Sequence, residues 1–162
     1  MAKDRIWAPW RLEYVRDADR GEECIFCSKP RAGDDAEALI VHRGELAYVI
    51  LNLFPYTNGH LMVAPFEHVG RLLEVDAGTL AEMLELAKRA MERIEEVYAP
   101  QGFNMGFNQG RVAGAGVEGH IHMHVVPRWA GDTNYMSVIA DARVMPQSLE
   151  DSYEALRAGF DE

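Results

Sequence analysis

The chain has 162 residues, 16 of them basic and 26 acidic, for a formal charge of −10; that length fits one compact domain able to bury a core without a disulfide framework. Both cysteines sit in one short motif, so a reduced, cytoplasmic setting is expected. No apolar run approaches the roughly 20 residues of a membrane helix, the first residues lack a signal-peptide segment, and the acidic balance argues against attachment to a nucleic-acid backbone while leaving room for a small anion at a local site.

No repeat or low-complexity tract divides the chain. Trp7, Trp10 and Tyr14 crowd an otherwise charged N-terminal stretch, which suggests a segment docked on the body or on a partner subunit. Cys24-Ile25-Phe26-Cys27 follows. Leu39 to Arg43 and Leu46 to Leu51 read as a hairpin about Gly44. Pro55 and Asn58-Gly59 mark a loop, and His60 to Ala64 is a third strand ended by Pro65.

The longest signal is helical. Leu80, Met83, Leu84, Ala87, Ala90, Met91, Ile94, Val97 and Tyr98 recur at threes and fours, which predicts one core-facing helix. Asp76 is one candidate cap and a Thr79–Glu82 capping box the other, while Pro100 and Gly102 end the helix. Phe103, Met105 and Phe107 alternate in a further strand. Residues 110 to 119 hold four glycines (110, 114, 116, 119) and run directly into His120-Ile121-His122-Met123-His124. A short helix is expected from Gln147 to Arg157. The order of elements is an α+β pattern, an antiparallel sheet covered by one main helix.

On an extended strand His120, His122 and His124 share one face while Ile121, Met123 and Val125 share the other. The apolar set is expected in the core and the histidines on a surface or cleft. Alternate residues stand about 6.6 Å apart, so with metal–nitrogen bonds of about 2.0 to 2.1 Å one ion cannot readily take all three; they have different jobs. The glycine-rich run lets backbone N–H groups approach a phosphate, although it matches neither the Walker nor the dinucleotide-fold spacing. A neutral imidazole beside such a loop suits attack on phosphorus, with Asn108 and Gln109 as further donors. Cys24 and Cys27 supply half of a metal site, with His42, His60, His68 and one triad member as candidates for the rest.

His120-Ile121-His122-Met123-His124-Val125-Val126 resembles the histidine triad family, marked by His-x-His-x-His followed by two apolar residues. The likeness takes in Asn52, Pro55, Gly59-His60-Leu61-Met62-Val63-Ala64-Pro65 and Asn108. Pro127-Arg128-Trp129-Ala130-Gly131-Asp132 resembles its fragile-histidine-triad branch. Trp7-Ala8-Pro9-Trp10-Arg11, Asn134-Tyr135 and Val144-Met145-Pro146-Gln147 are most similar to bacterial diadenosine tetraphosphate phosphorylases of this family.

The resemblance implies a five-stranded antiparallel sheet with one long helix packed across it and short additional helices, assembled as a homodimer or larger homo-oligomer. It implies a single domain over 1–162, with an N-terminal docking segment (1–30), a catalytic core (39–129) and a C-terminal extension (130–162). His122 matches the nucleophile that forms a nucleotidyl-histidine, His124 the histidine contacting the phosphate and bridging oxygen, and His60 another histidine near the site. Asn52 matches a ribose contact and Asn108 a phosphate contact. Gln109, Gly114, Gly116, Arg128 and Trp129 complete the expected substrate-binding set. Zinc-bearing relatives carry the metal pattern over to Cys24, Cys27, His68 and His120, a structural Zn2+ whose removal lowers stability before it touches chemistry; His42 is then an exposed hairpin residue. No organic cofactor is expected.

One departure stands out: Gly116 and Val117 replace the Gln and Ser or Thr that many members place before the triad, so that phosphate contact falls to backbone, water or another residue. The implied reaction converts diadenosine tetraphosphate and inorganic phosphate into ADP and ATP. Hydrolysis with water as acceptor, or a nucleotide-binding, signalling role with weak phosphoramidase activity, are the alternatives. Attraction of the anionic substrate falls to local groups such as Arg128 and Arg111.

Overall fold

The computed structural model describes residues 23–132 and 145–160; Trp7, Trp10, Tyr14, Asn134, Tyr135 and Val144 lie outside them. Five strands form an antiparallel sheet: β1 (Ile40–Arg43), β2 (Ala47–Leu51), β3 (Leu61–Pro65), β4 (Gly102–Phe107) and β5 (Met123–Arg128), in the order β1-β2-β3-β5-β4. The expected hairpin is there, with Ile50 opposite Ile40 and Tyr48 opposite Arg43. Strand β3 runs one residue further than predicted, because Pro65 lies opposite Ala47 and ends the ladder instead of preceding its end.

Among the described residues three short helices, α1 (Ile25–Arg31), α2 (Asp35–Ala38) and α4 (Leu149–Arg157), surround the sheet, and α3 (Ala77–Tyr98) crosses it. Asp76 is the cap of α3: its carboxylate accepts from the amides of Gly78 and Thr79 at 2.9 and 3.0 Å. The alternative capping box does not form. Glu82 instead accepts from the amides of Leu46 and Ala47 at 3.0 and 3.3 Å, tying the helix to the hairpin. The periodicity holds at Met83, Ala87, Ala90 and Ile94, which are buried with Leu86 against Val49, Leu61, Val63, Met123 and Val125, but Leu84, expected on the same face, lies just past its edge and is exposed. At the far end Ala99 closes the helix in a left-handed conformation, φ 45°.

Two arginines of α3 then bind the end of the chain. The Arg93 guanidinium donates to the carbonyls of Ala155 and Leu156, and that of Arg89 to the carbonyl of Phe160. His42 corrects its expectation: it is half-buried, stacked on Phe160 at 5.1 Å, and its Nε2 accepts from Arg89 at 3.1 Å. The C-terminal helix covers that edge of the hairpin, which the sequence of β1 alone did not reveal.

The opposite face of the sheet carries a second apolar cluster, Phe26, Ala38, Ile40, Tyr48, Ile50, Met62 and Ala64. Pairing of Met62 with His124 and of Val63 with Met123 sends the histidines to this second face and the intervening apolar residues to the helix face.

Candidate functional site

The triad differs from the sequence expectation in two ways. Regular pairing begins only at Met123, so His120 and His122 precede β5. They also do not line an open surface: His120 is 0% and His122 4% exposed, and only His124 is half-buried. Helix α1, laid over this face by the cysteine segment, covers them. The three rings also part company, for His120 joins one set of groups and His122 and His124 another.

His120 turns toward the cysteine pair. The amide of Ile121 donates to the carbonyl of Val69 at 2.7 Å, which brings the turn after β3, with His68, beside the triad. Ligand atoms of Cys24, Cys27, His68 and His120 all lie within 4.8 Å of one another. His120 Nδ1 is 3.5 Å from both sulfurs, and His68 Nδ1 is 3.3 Å from that of Cys27. Tetrahedral bonds of about 2.3 Å to sulfur and 2.0 to 2.1 Å to nitrogen put such ligand atoms about 3.5 Å apart, so the four residues fit a metal ion.

The tautomer fits as well. His120 Nε2 donates to the carbonyl of Pro65 at 2.8 Å, leaving a lone pair on Nδ1. Two sulfurs share that one lone pair, more than a single S–H bond can use, whereas a cation between them satisfies all three atoms. Burial pushes the pKa of His120 down to about 4 and that of Cys27 up, the latter with the neighbouring Cys24 adding to the effect.

His122 has the reverse polarity. Its Nδ1 donates to the carbonyl of His120 at 2.9 Å, so in the neutral ring the lone pair resides on Nε2. Burial lowers its pKa, which keeps the ring neutral near pH 7. Its neighbour His124, with ring centroids 5.0 Å away, is oriented through a chain of donors. The amide of Tyr56 donates to His60 Nδ1 at 3.1 Å, so His60 carries its proton on Nε2 and donates to His124 Nδ1 at 2.9 Å. His124 Nε2 is thereby left as an N–H donor beside the lone pair of His122.

The loop between β2 and β3 makes this arrangement. It closes through the amide of Asn52 donating to the carbonyl of His60, at 3.0 Å. Gly59 turns it at φ 75°, where a Cβ would come within 2.8 Å of the Tyr98 ring. Asn52 is buried, accepts from the Phe54 amide at 2.9 Å, and places its amide nitrogen 3.4 Å from His60 Nδ1. Asn52, His60, His122 and His124 thus come together.

Other expected residues stand apart or are engaged elsewhere. Gln109 accepts from the amide of Leu72 at 2.8 Å. Arg128, at the end of β5 away from His122, is held by Asp132 and by Asn104 at 2.7 Å. Arg111 pairs with Glu118 at 3.2 Å. Asn108, Gly114, Gly116 and Trp129 are half-buried, with Gly114 at φ 93° ending a 3-10 turn from Arg111 to Ala113. Sequence reasoning missed Phe26, Tyr48 and the carbonyls of Pro65 and Val69. The first two read as ordinary core residues, and backbone acceptors leave no residue-type signal.

One face of the sheet of this α+β protein thus gathers a buried imidazole with its lone pair on Nε2, a second imidazole oriented as a donor, and a cluster of four potential metal ligands. Residues 34–131 match the HIT domain model, and the chain belongs to that family. It is 38% identical over 159 residues to the "AP-4-A phosphorylase" of Mycobacterium tuberculosis, a match spanning 94% of this chain and 82% of that protein. It is 30% identical over 105 residues to the "Adenosine 5'-monophosphoramidase hnt1" of Schizosaccharomyces pombe, covering 65% and 74% respectively. A solved Zn-bound histidine triad family protein from Mycobacterium smegmatis superposes with a TM-score of 0.69 at 28% identity, over 86% of this chain and 94% of that one. Among the described residues no helix is long and apolar enough to cross a membrane.

Proposed function

We propose that this protein is a nucleotidyl transferase acting on diadenosine polyphosphates, with inorganic phosphate as acceptor. The observation that carries it is the pair of opposed ring polarities, a lone pair on His122 Nε2 beside an N–H on His124. Likeness to the mycobacterial phosphorylase along nearly the whole chain supports it. His122 Nε2 attacks the α-phosphorus of diadenosine tetraphosphate, the bond to the bridging oxygen breaks, and ATP leaves with AMP bonded to the ring. His124 Nε2–H donates to the oxygen on which charge develops, while the His120 carbonyl steadies the Nδ1–H of the charged ring. Phosphate then attacks the same phosphorus, giving ADP and restoring His122. Asn52 and Asn108, the backbone of Gly114 and Gly116, and Trp129 are assigned to the nucleotide. Gln109 and Arg128 reach it only after exchanging their present partners.

Cys24, Cys27, His68 and His120 are proposed to hold a structural Zn2+. A closed two-sulfur, two-nitrogen set supplies folding energy and leaves no open position for substrate. Such a thiolate pair needs a reducing compartment, consistent with a cytoplasmic protein. The exposed edge strand β4, with Met105 outward, supports a homodimer.

Incubation with diadenosine tetraphosphate, with and without inorganic phosphate, followed by separation of the nucleotides, tests the reaction. ADP and ATP in equal amounts, only when phosphate is present, are expected. AMP with ATP in phosphate-free buffer at the same rate overturns the phosphorylase in favour of hydrolysis. Protein purified without chelator should hold about one zinc per chain; a few hundredths of an equivalent in folded, active protein refutes the metal assignment.

A further inference from the structure

Phe26 lies between the two cysteines and is 1% exposed. Its ring stacks on His122 with centroids 4.5 Å apart and planes at 27°, and leans on His120 at 5.4 Å. It is held from several sides. The Tyr48 hydroxyl donates to the Phe26 carbonyl at 2.8 Å. The amides of Cys27 and Ser28 both donate to the carbonyl of Cys24 at 2.9 Å, which fixes the turn on either side. Ile40, Ile50, Met62 and Ala64 complete its surroundings.

We infer that Phe26 is a positioning residue that sets the plane of the His122 ring; the inference rests on the role proposed above for His122. The second torsion of a histidine is broad, so a single hydrogen bond at Nδ1 does not fix the direction in which Nε2 points. A flat wall against the ring face supplies the missing constraint. Misdirection of an attacking atom by about 1 Å costs on the order of a hundredfold in rate. Both constraints begin in the same four-residue cluster, because Phe26 is strung between Cys24 and Cys27 and the carbonyl that holds Nδ1 belongs to His120. Cys24, Cys27 and His120, which would hold an ion there, are thus the residues on either side of Phe26 and the one whose carbonyl holds His122 Nδ1.

The test compares Phe26→Leu, Phe26→Tyr and Tyr48→Phe with the unaltered protein. Three quantities are read: kcat and KM with diadenosine tetraphosphate and phosphate, zinc per chain, and the ring 15N and 1H resonances of His122 without substrate. Phe26→Leu should lower kcat between about ten- and a hundredfold, leave KM within about threefold and keep its zinc. Its His122 signals should lose their ring-current displacement and shift from one tautomer toward a mixture. Phe26→Tyr retains the ring face and should recover most of kcat. Tyr48→Phe, which frees the Phe26 carbonyl but keeps both rings, should give a smaller fall in kcat than Phe26→Leu, and it carries the test if either Phe26 variant does not fold.

An unchanged kcat in Phe26→Leu, or in Tyr48→Phe where that variant stands in, overturns the inference whatever the ring-current shift. So does a rise in KM alone, which would make Phe26 a substrate contact. The resonances are read on substrate-free protein, so a parent protein that fails to cleave the dinucleotide refutes the proposed reaction and leaves this measurement intact.

Discussion

On one face of the sheet Val49, Leu61, Val63, Met123 and Val125 meet Met83, Ala87, Ala90 and Ile94 of α3. On the other, alternate residues of the same strands bring Tyr48, Met62 and His124 toward Phe26, His60 and His122. Both faces are buried, and both follow from the two-residue period of a strand. The first is held by contact area, which has no direction. The second is held by N–H groups that each have one acceptor, so that moving one ring changes what the next presents. Loss of a group should therefore cost stability on the helix face and chemistry on the histidine face.

His122→Ala gives the largest effect and the sharpest form of this contrast. Turnover should fall by a thousandfold or more, about 4 kcal/mol of transition-state stabilisation, while the urea midpoint moves little. A drop in stability as large as that of a core substitution would break the comparison. Ile94→Ala is its mirror image, with a loss of about 2 to 5 kcal/mol by urea denaturation and an unchanged kcat per folded molecule. A tenfold fall in kcat there would show that the two faces are coupled through the sheet.

Glu82→Ala, which leaves the amides of Leu46 and Ala47 without their carboxylate, should cost about 1 to 2 kcal/mol and leave KM unaltered. Ser148→Ala removes the side-chain acceptor for the amide of Asp151 at the start of α4. It should cost about 1 kcal/mol or less, visible as faster amide exchange in α4 and not in β5.

The helix face was legible in its main stripe, because apolar periodicity reports contact area directly, although at the edge of the stripe Leu84 is exposed and Leu86 takes the buried place. Met83, Ala87, Ala90 and Ile94 all fall where their spacing places them. The histidine face was legible in membership but not in arrangement. Alternation put His120, His122 and His124 on one side and excluded a shared ion, and the cysteine pair finds His68 and His120 in space. Depth was misjudged, since α1 closes over a face that three polar residues mark as open. The partners that set each tautomer, the His120 and Pro65 carbonyls and the Tyr56 amide, belong to the backbone, which every residue shares. The Thr79–Glu82 pattern failed for a related reason, for a carboxylate able to cap its own helix found two free amides in the hairpin instead.

The grip of Arg89 and Arg93 on the end of the chain has a consequence for how this protein can vary. Their guanidinium groups bond the carbonyls of Ala155, Leu156 and Phe160, atoms that survive any substitution at those positions. The docking of α4 is thus written into α3, and the recognised segment is free to drift in side-chain identity at Ala155 while remaining attached. Lineages of this chain should diverge there without compensating changes in the helix that holds it, whereas replacing either arginine removes an anchor that no change in α4 can restore.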